Sequence, residues 1–339
     1  MIQKKHLLPI LLMLLAATAA GKTPDQLRAD FIDEQVTQHG FSRDAVTRTL
    51  YQARMRHDIL KAISRPAEKR LNWSEYRNIF VTPSRIQGGV EFWNRHAATL
   101  ERAEREYGVP PQIIVAILGV ETRYGAHTGG YRVLDALHTL GFHYPRRGKF
   151  FRAQLSHFLR FAREEDIPAT MPTGSYAGAM GVPQFMPDSF RIYAVDFDGD
   201  GRRDIWNNTD DVIGSVANYF VKKGNWRAGE DVTFAVAGIG PEHQSLIDAG
   251  AKPSLDRAKL EAAGIDVPAA LTPGRKLSLM EFKTHDGTEH WIGLHNFYAI
   301  MRYNPRTKYA MAVFQLSEAI RQAHADGVTG AIRADTGQR

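Results

Sequence analysis

Apolar residues recur three and four apart through residues 25–40, DQLRADFIDEQVTQHG, a helical period that stops at a glycine. Ser42 stands where a cap belongs for a second helix, RDAVTRTLYQAR (43–54). Residues 86–107, IQGGVEFWNRHAATLERAEREY, keep helical spacing throughout and predict one amphipathic helix. After the glycine-rich stretch His127–Gly130, the spacing predicts a short helix near Val133–Leu140. A longer one, rich in Phe and Arg, follows near Arg147–Glu165. The pattern then changes twice. Residues 171–187, MPTGSYAGAMGVPQFMP, are broken up by glycines and prolines, which predicts an ordered loop or short helix whose backbone closely approaches something. Between 226 and 297 the runs TFAVAG, KLSLMEF and TEHWIGLHNF read as strands, with a helical stretch near Ser254–Ala263. Helical spacing returns over 305–323. At 339 residues the chain exceeds one compact core. The patterns predict a mainly α (α+β) protein with an N-terminal helical domain over 21–85 and a core over 86–225. A small α+β lobe over 226–297 is inserted before a return to the core over 298–325, and a flexible tail covers 326–339.

One segment departs from amphipathicity. In Pro110–Gly125, PPQIIVAILGVETRYG, apolar side chains cover every side of a helix, so the helix should be buried. The paired prolines fit its start and Gly125 the position just past its end. That run contains a single carboxyl group, Glu121. Burial of a carboxyl favours its protonated form, and a proton held near neutral pH is what a general acid needs. The competing reading is a Glu at a fraying helix end, reaching water or pairing with Arg123.

Composition narrows the setting. Residues 1–20, MIQKKHLLPILLMLLAATAA, have a charged start (Lys4, Lys5), an apolar centre (Leu7–Leu15) and small residues around Ala17–Ala19, as a cleaved secretory signal does. An uncleaved anchor is the alternative. The chain has no cysteine, which excludes disulfides, thiol catalysis, Cys-ligated zinc and lipid attachment through a cysteine. Removing residues 1–20 takes away two lysines and no acids, so the net charge falls from +6 to +4. A mildly basic exported protein suits an anionic polymer such as cell-wall material, or an anionic membrane surface. Its basic residues are scattered, which argues against nucleic acid.

Residues 196–207, DFDGDGRRDIWN, place Asp196, Asp198 and Asp200 at positions 1, 3 and 5 of an EF-hand pattern, with Gly201 at the turn. Arg202 would supply its carbonyl at position 7, and Asp204 a carboxylate directly or through water. Asn207 replaces the usual bidentate Glu, so Asp211 or Asp210 would have to close the site. Hard oxygens at this spacing suit Ca²⁺ as a structural ion. A solvated Asp-Gly turn without metal is the other reading. The 13 His show no zinc-type spacing.

Several stretches then fall in one order across residues 20–323. They are VTPSRIQGGVEFW (81–93), YGVPPQIIVAILGVETRYG (107–125), YPRR (144–147), GSYAGAMGVPQFMPDSF (174–190), the Asp-rich loop, GSVANYF (214–220) and YNPRTKYAMAVFQL (303–316). Together they resemble the lytic murein transglycosylases of the membrane-bound B type. The resemblance implies a lysozyme-like core and non-hydrolytic cleavage of peptidoglycan between N-acetylmuramic acid and N-acetylglucosamine, leaving 1,6-anhydro ends. It implies Glu121 as the single acid/base, with Ser175 and Gln184 bonding to the sugars and Met180 and Phe185 shaping apolar walls. Tyr219, Tyr303, Asn304 and Tyr309 carry over as cleft residues, although each tyrosine taken alone also reads as a core residue with a satisfied hydroxyl. No organic cofactor is implied. The expected partners are glycan strands and other cell-wall enzymes, for a monomer. The family name implies a lipid anchor, but without a cysteine in the leader a soluble periplasmic form is expected. Two alternatives remain: a hydrolytic muramidase, which needs a second carboxylate, and a non-catalytic wall-binding protein.

Overall fold

The computed structural model describes residues 21–64, 71–269, 271 and 274–336, so the leader expected at 1–20 lies outside the described residues. The N-terminal helices start and stop where side chains dictate. Helix α1 (Pro24–His39) opens on a reciprocal cap between Thr23 and Gln26 and ends at Gly40, whose φ of 65° is left-handed. Ser42 caps α2 (Arg43–Tyr51) by accepting from the Ala45 amide. Helix α3 (His57–Ile63) and α4 (Trp73–Phe80, capped by Asn72) follow.

The single helix expected over 86–107 is two, α5 (Pro83–Arg95) and α6 (Ala97–Tyr107), interrupted at His96. Next comes α7 (Pro111–Thr122), then β1 (Tyr131–Arg132), α8 (Val133–His143), α9 (Gly148–Glu164), β2 (Thr173–Gly174), α10 (Pro187–Tyr193) and α11 (Thr209–Lys222). The lobe contributes β3 (Thr233–Val236), α12 (Gln244–Ile247), α13 (Arg257–Ala262), β4 (Ser278–Lys283) and β5 (Thr288–Gly293). Helices α14 (His295–Met301) and α15 (Thr307–Thr336) complete the chain. The interruption at His96 has a packing reason. Helix α5 packs on α7 and α15, whereas α6 packs on α7 and α11, and one straight rod would not serve both sets. The tail expected from residue 326 continues α15 as far as Thr336.

Helix α7 is the centre of the fold, touched by α5, α6, α11 and α15. From Ile113 to Val120 each of its residues is buried, which is why its sequence shows no polar face. In the lobe, β3–β5–β4 form an antiparallel sheet, with Ala235 opposite Trp291 and Trp291 opposite Met280. Leu279 and Ile292 point to a second apolar core with Leu246, Leu255 and Leu260. Met280 and Phe282 point to the main core, where Phe282 meets Trp73 at 5.3 Å. Burial on both faces explains why KLSLMEF lacks polar alternation. Among the described residues no helix is long and apolar enough to cross a membrane.

Candidate active site

The carboxyl of Glu121 sits in the last turn of α7, half-buried, with its helix otherwise enclosed. The helix stops sooner than Gly125 would suggest. Arg123 and Tyr124 both take left-handed backbone angles, φ 51° and 60°, and the amides of both bond to the Leu118 carbonyl. Thr122, next to Glu121, donates its hydroxyl to the Val182 carbonyl at 2.9 Å and accepts the Gly125 amide at 3.1 Å. The end of α7 is thus tied to the Gly-rich segment 171–187.

Across from it, α15 delivers Tyr309, whose hydroxyl donates to Glu121 Oε1 at 2.5 Å. Tyr309 is only 3 % exposed, so it orients the carboxyl from behind instead of lining an open cleft. Burial, and after it the Glu121 charge, push the Tyr309 and Tyr303 hydroxyls well above the ordinary phenol range. Both therefore remain donors. Tyr303 donates its hydroxyl to the Pro183 carbonyl at 2.6 Å, and Tyr219 donates to the Arg302 carbonyl at 2.6 Å.

The segment 171–187 is an ordered loop. Gly174 bridges to Met180 and Met180 to Phe185, with the Met180 amide 2.8 Å from the Phe185 carbonyl. The Ser175 hydroxyl accepts the Ala179 amide at 3.0 Å, and Gln184, at φ 53°, donates through Nε2 to the Thr128 and Gly181 carbonyls, each at 2.9 Å. Phe185, Tyr219 and Tyr303 form an aromatic cluster with centroids 4.8–6.0 Å apart. Met180 and Phe185 were expected as apolar walls, but both lie beneath the surface and form the floor of the loop. Tyr219 is buried as well. Ser175, Gln184, Tyr303 and Asn304 retain exposed surface. Sequence reasoning missed Thr122 and the backbone carbonyls of Thr128, Gly181 and Pro183. No residue type marks a carbonyl, although the Gly-Pro punctuation did mark the segment.

The Asp-rich loop gathers carboxylate oxygens of Asp196, Asp198 and Asp211 within 4.8 Å of one another. Asp211 is fully buried, accepts the Phe197 and Asp204 amides at 2.6 and 2.8 Å, and is raised in pKa chiefly by burial. Asp210 is turned elsewhere, accepting from Thr99. Asp200 accepts the Arg202 amide through Oδ1 and keeps its second oxygen open to the loop, and Asp204 accepts the amides of Trp206 and Asn207 through Oδ1. A separate hollow of about 490 Å³ lies on the small sheet between Ala235 and Trp291; none of the site residues above lines it.

The chain matches the transglycosylase SLT domain family over residues 23–318. It is 43 % identical, over 299 residues, to the membrane-bound lytic murein transglycosylase B of Escherichia coli, covering 86 % of this chain and 81 % of that protein. The crystal structure of the soluble lytic transglycosylase SltB1 of Pseudomonas aeruginosa superposes with a TM-score of 0.83 at 48 % identity, over 88 % of this chain and 99 % of that one. The Escherichia coli lytic transglycosylase Slt35 in complex with calcium superposes with a TM-score of 0.78 at 41 % identity, over 88 % and 94 % of the two chains.

Proposed function

The chain belongs to the transglycosylase SLT domain family and is a peptidoglycan lytic transglycosylase with a lysozyme-like fold, and from that premise we propose that Glu121 is its single acid/base. The observation that carries this reading is the 2.5 Å bond from Tyr309 to a carboxyl at the end of a buried helix. A glycosidase that hydrolyses needs two carboxyls, one as acid and one as nucleophile or base. In an anhydro-forming cleavage the substrate supplies the second function.

Glu121 first gives its proton to the bridging oxygen as the glycosidic bond breaks. The neighbouring acetamido oxygen stabilises the oxocarbenium-like carbon. The C6 hydroxyl of the same muramyl sugar then attacks that carbon, and Glu121 takes up its proton. Holding nucleophile and electrophile in one ring replaces a bimolecular encounter with water by an intramolecular one. Tyr309 fixes the carboxyl's rotation through both steps. The surfaces left to meet sugar are those of Ser175, Gln184, Tyr303 and Asn304, above a floor of Met180, Phe185 and Tyr219.

In this reading the Asp-rich loop holds Ca²⁺ through Asp196, Asp198 and Asp211, with Asp200 and the Arg202 carbonyl completing the set. Three clustered carboxylates, one of them buried, form a hard-oxygen donor set of the kind calcium takes. The ion would staple the loop to α11 and takes no part in the chemistry. Glycan strands are the partner, and the leader-like sequence of residues 1–20 supports a periplasmic location. In this organisation the lobe over 226–297 has its own apolar core and packs on the main core through Met280 and Phe282.

Mass spectrometry of digested sacculi tests the reaction: anhydromuramyl ends are expected, and reducing ends would replace it by a muramidase. Glu121→Gln should abolish turnover while the chain stays folded. Retained turnover would remove Glu121 from its role.

A further inference from the structure

Behind the end of α7 lies a second arrangement that none of the proposed sugar or metal contacts uses. Arg85, in the first turn of α5, is buried, and its guanidinium lies 5.1 Å from the Phe80 ring. Its Nη1 donates to the Gly119 carbonyl at 2.5 Å. In a helix that continued, that carbonyl would take the amide of residue 123. Here the Arg123 and Tyr124 amides both go to Leu118, so the early stop orphans the Gly119 carbonyl and Arg85 satisfies it.

The link runs in both directions. The Arg85 carbonyl accepts the Tyr124 hydroxyl at 2.6 Å. Tyr124 therefore folds back over the helix it has just left, stacking on Phe92 at 5.7 Å. Room for its ring comes from the missing side chains of Gly88, Gly89 and Gly119. A Cβ at Gly119 would lie 2.6 Å from the Tyr124 hydroxyl oxygen, and one at Gly89 2.8 Å from it. The Arg85 Nε is buried with no hydrogen-bond partner among the described residues. A lone apolar core would not require a cation there, since burying incompletely paired charge opposes folding.

We propose that Arg85 is a positioning residue for catalysis, which together with Tyr124 fixes where α7 ends and so where the Glu121 carboxyl sits. The inference rests on the reading of Glu121 as acid/base. The guanidinium grips the turn two residues before Glu121, and Tyr124 turns the chain three residues after it. A cation at a helix C-terminus is also electrostatically favourable, which holds the bracket closed. Slackening the bracket moves the carboxyl relative to Tyr309 and the scissile oxygen without touching the sugar-binding surface.

The test compares Arg85→Met, Arg85→Lys and Tyr124→Phe with wild type and Glu121→Gln on solubilised glycan strands, with thermal unfolding alongside. For Arg85→Met and Tyr124→Phe the expected result is kcat lowered about tenfold or more with KM within about twofold, since small misplacements of reacting groups cost rate. Arg85→Lys should recover part of the lost kcat. Tyr124→Phe removes one oxygen only, so it decides the question if Arg85→Met does not fold. Wild-type kcat in folded Tyr124→Phe, with Glu121→Gln inactive, would overturn the positioning role alone. An active Glu121→Gln would overturn the reading beneath it.

Discussion

Tyr309 and Glu121, 188 residues apart in sequence, meet at 2.5 Å where α15 crosses the end of α7. A hydrogen bond to an ionised group contributes about 1.5–3 kcal/mol, so Tyr309→Phe should lower kcat roughly ten- to hundredfold. Because Tyr309 is buried and turned away from the surface, KM should hardly change. Steady-state kinetics on glycan strands separates the two parameters. A large rise in KM at constant kcat would make Tyr309 a sugar contact and not the orienter of the carboxyl.

Calcium should stabilise the chain through the 196–211 loop. At a hundredfold excess over Kd a single site adds about 2.7 kcal/mol, a Tm rise of roughly 4 °C for a chain of this length. Asp198 is the variant of choice because it is exposed, whereas Asp211 also holds two backbone amides. Asp198→Asn should remove most of the calcium-dependent shift, as read by scanning calorimetry with and without chelator. A wild-type Tm indifferent to calcium would leave the loop a plain turn.

The elements that local chemistry determines were readable in the sequence. Ser42 and Gly40 marked helix ends, and the uninterrupted apolar run of α7 announced its burial. Asp196 and Asp198 were recognisable because their spacing alone brings them together. What escaped reading depends on contacts made by distant segments. The break at His96 answers to α11 and α15, neither of which is visible from residues 86–107. The left-handed angles at Arg123 and Tyr124 are held by Arg85, 38 and 39 positions away, whereas Gly125 carried the usual local signal for a helix end. The choice of Asp211 over Asp210 turned on which carboxylate reaches the Phe197 and Asp204 amides. Tyr309 passed for a cleft residue since nothing local shows which way a tyrosine on a buried helix points.

His138 gives the fold an acid-side weakness. Burial, then the Arg28 and His143 charges, lower its pKa to about 4 in the folded chain, against 6.5 ordinarily; Asp135 opposes this only in part. Between pH 6.5 and 4 the unfolded chain binds a proton that the folded chain does not, so stability falls as pH falls across that window. Above pH 6.5 the contribution is fully present. Its size is about 3 kcal/mol. His138→Leu should flatten the fall in Tm between pH 7 and 4.5. Parallel pH curves for wild type and variant would show that His138 is not the group responsible.

Gly119→Ala sets two effects of known size against each other. Alanine is the better helix former by about 1 kcal/mol, so in an open helix the change would stabilise. Here the new methyl would lie 2.6 Å from the Tyr124 hydroxyl oxygen and 2.8 Å from the carbon that bears it. The ring cannot slide off without giving up its bond to the Arg85 carbonyl and its stacking on Phe92. Overpacking of this kind costs about 1–3 kcal/mol, and the lost hydrogen bond adds about 1 kcal/mol, so sterics should win. The variant should unfold at lower temperature than wild type. Its kcat should fall together with that of Tyr124→Phe, because both release the same turn. In a double-mutant cycle the two changes should be strongly non-additive, the second adding little once the first has freed Tyr124. A Gly119→Ala protein as stable as wild type, or additive with Tyr124→Phe, would mean that the ring is not held against α7.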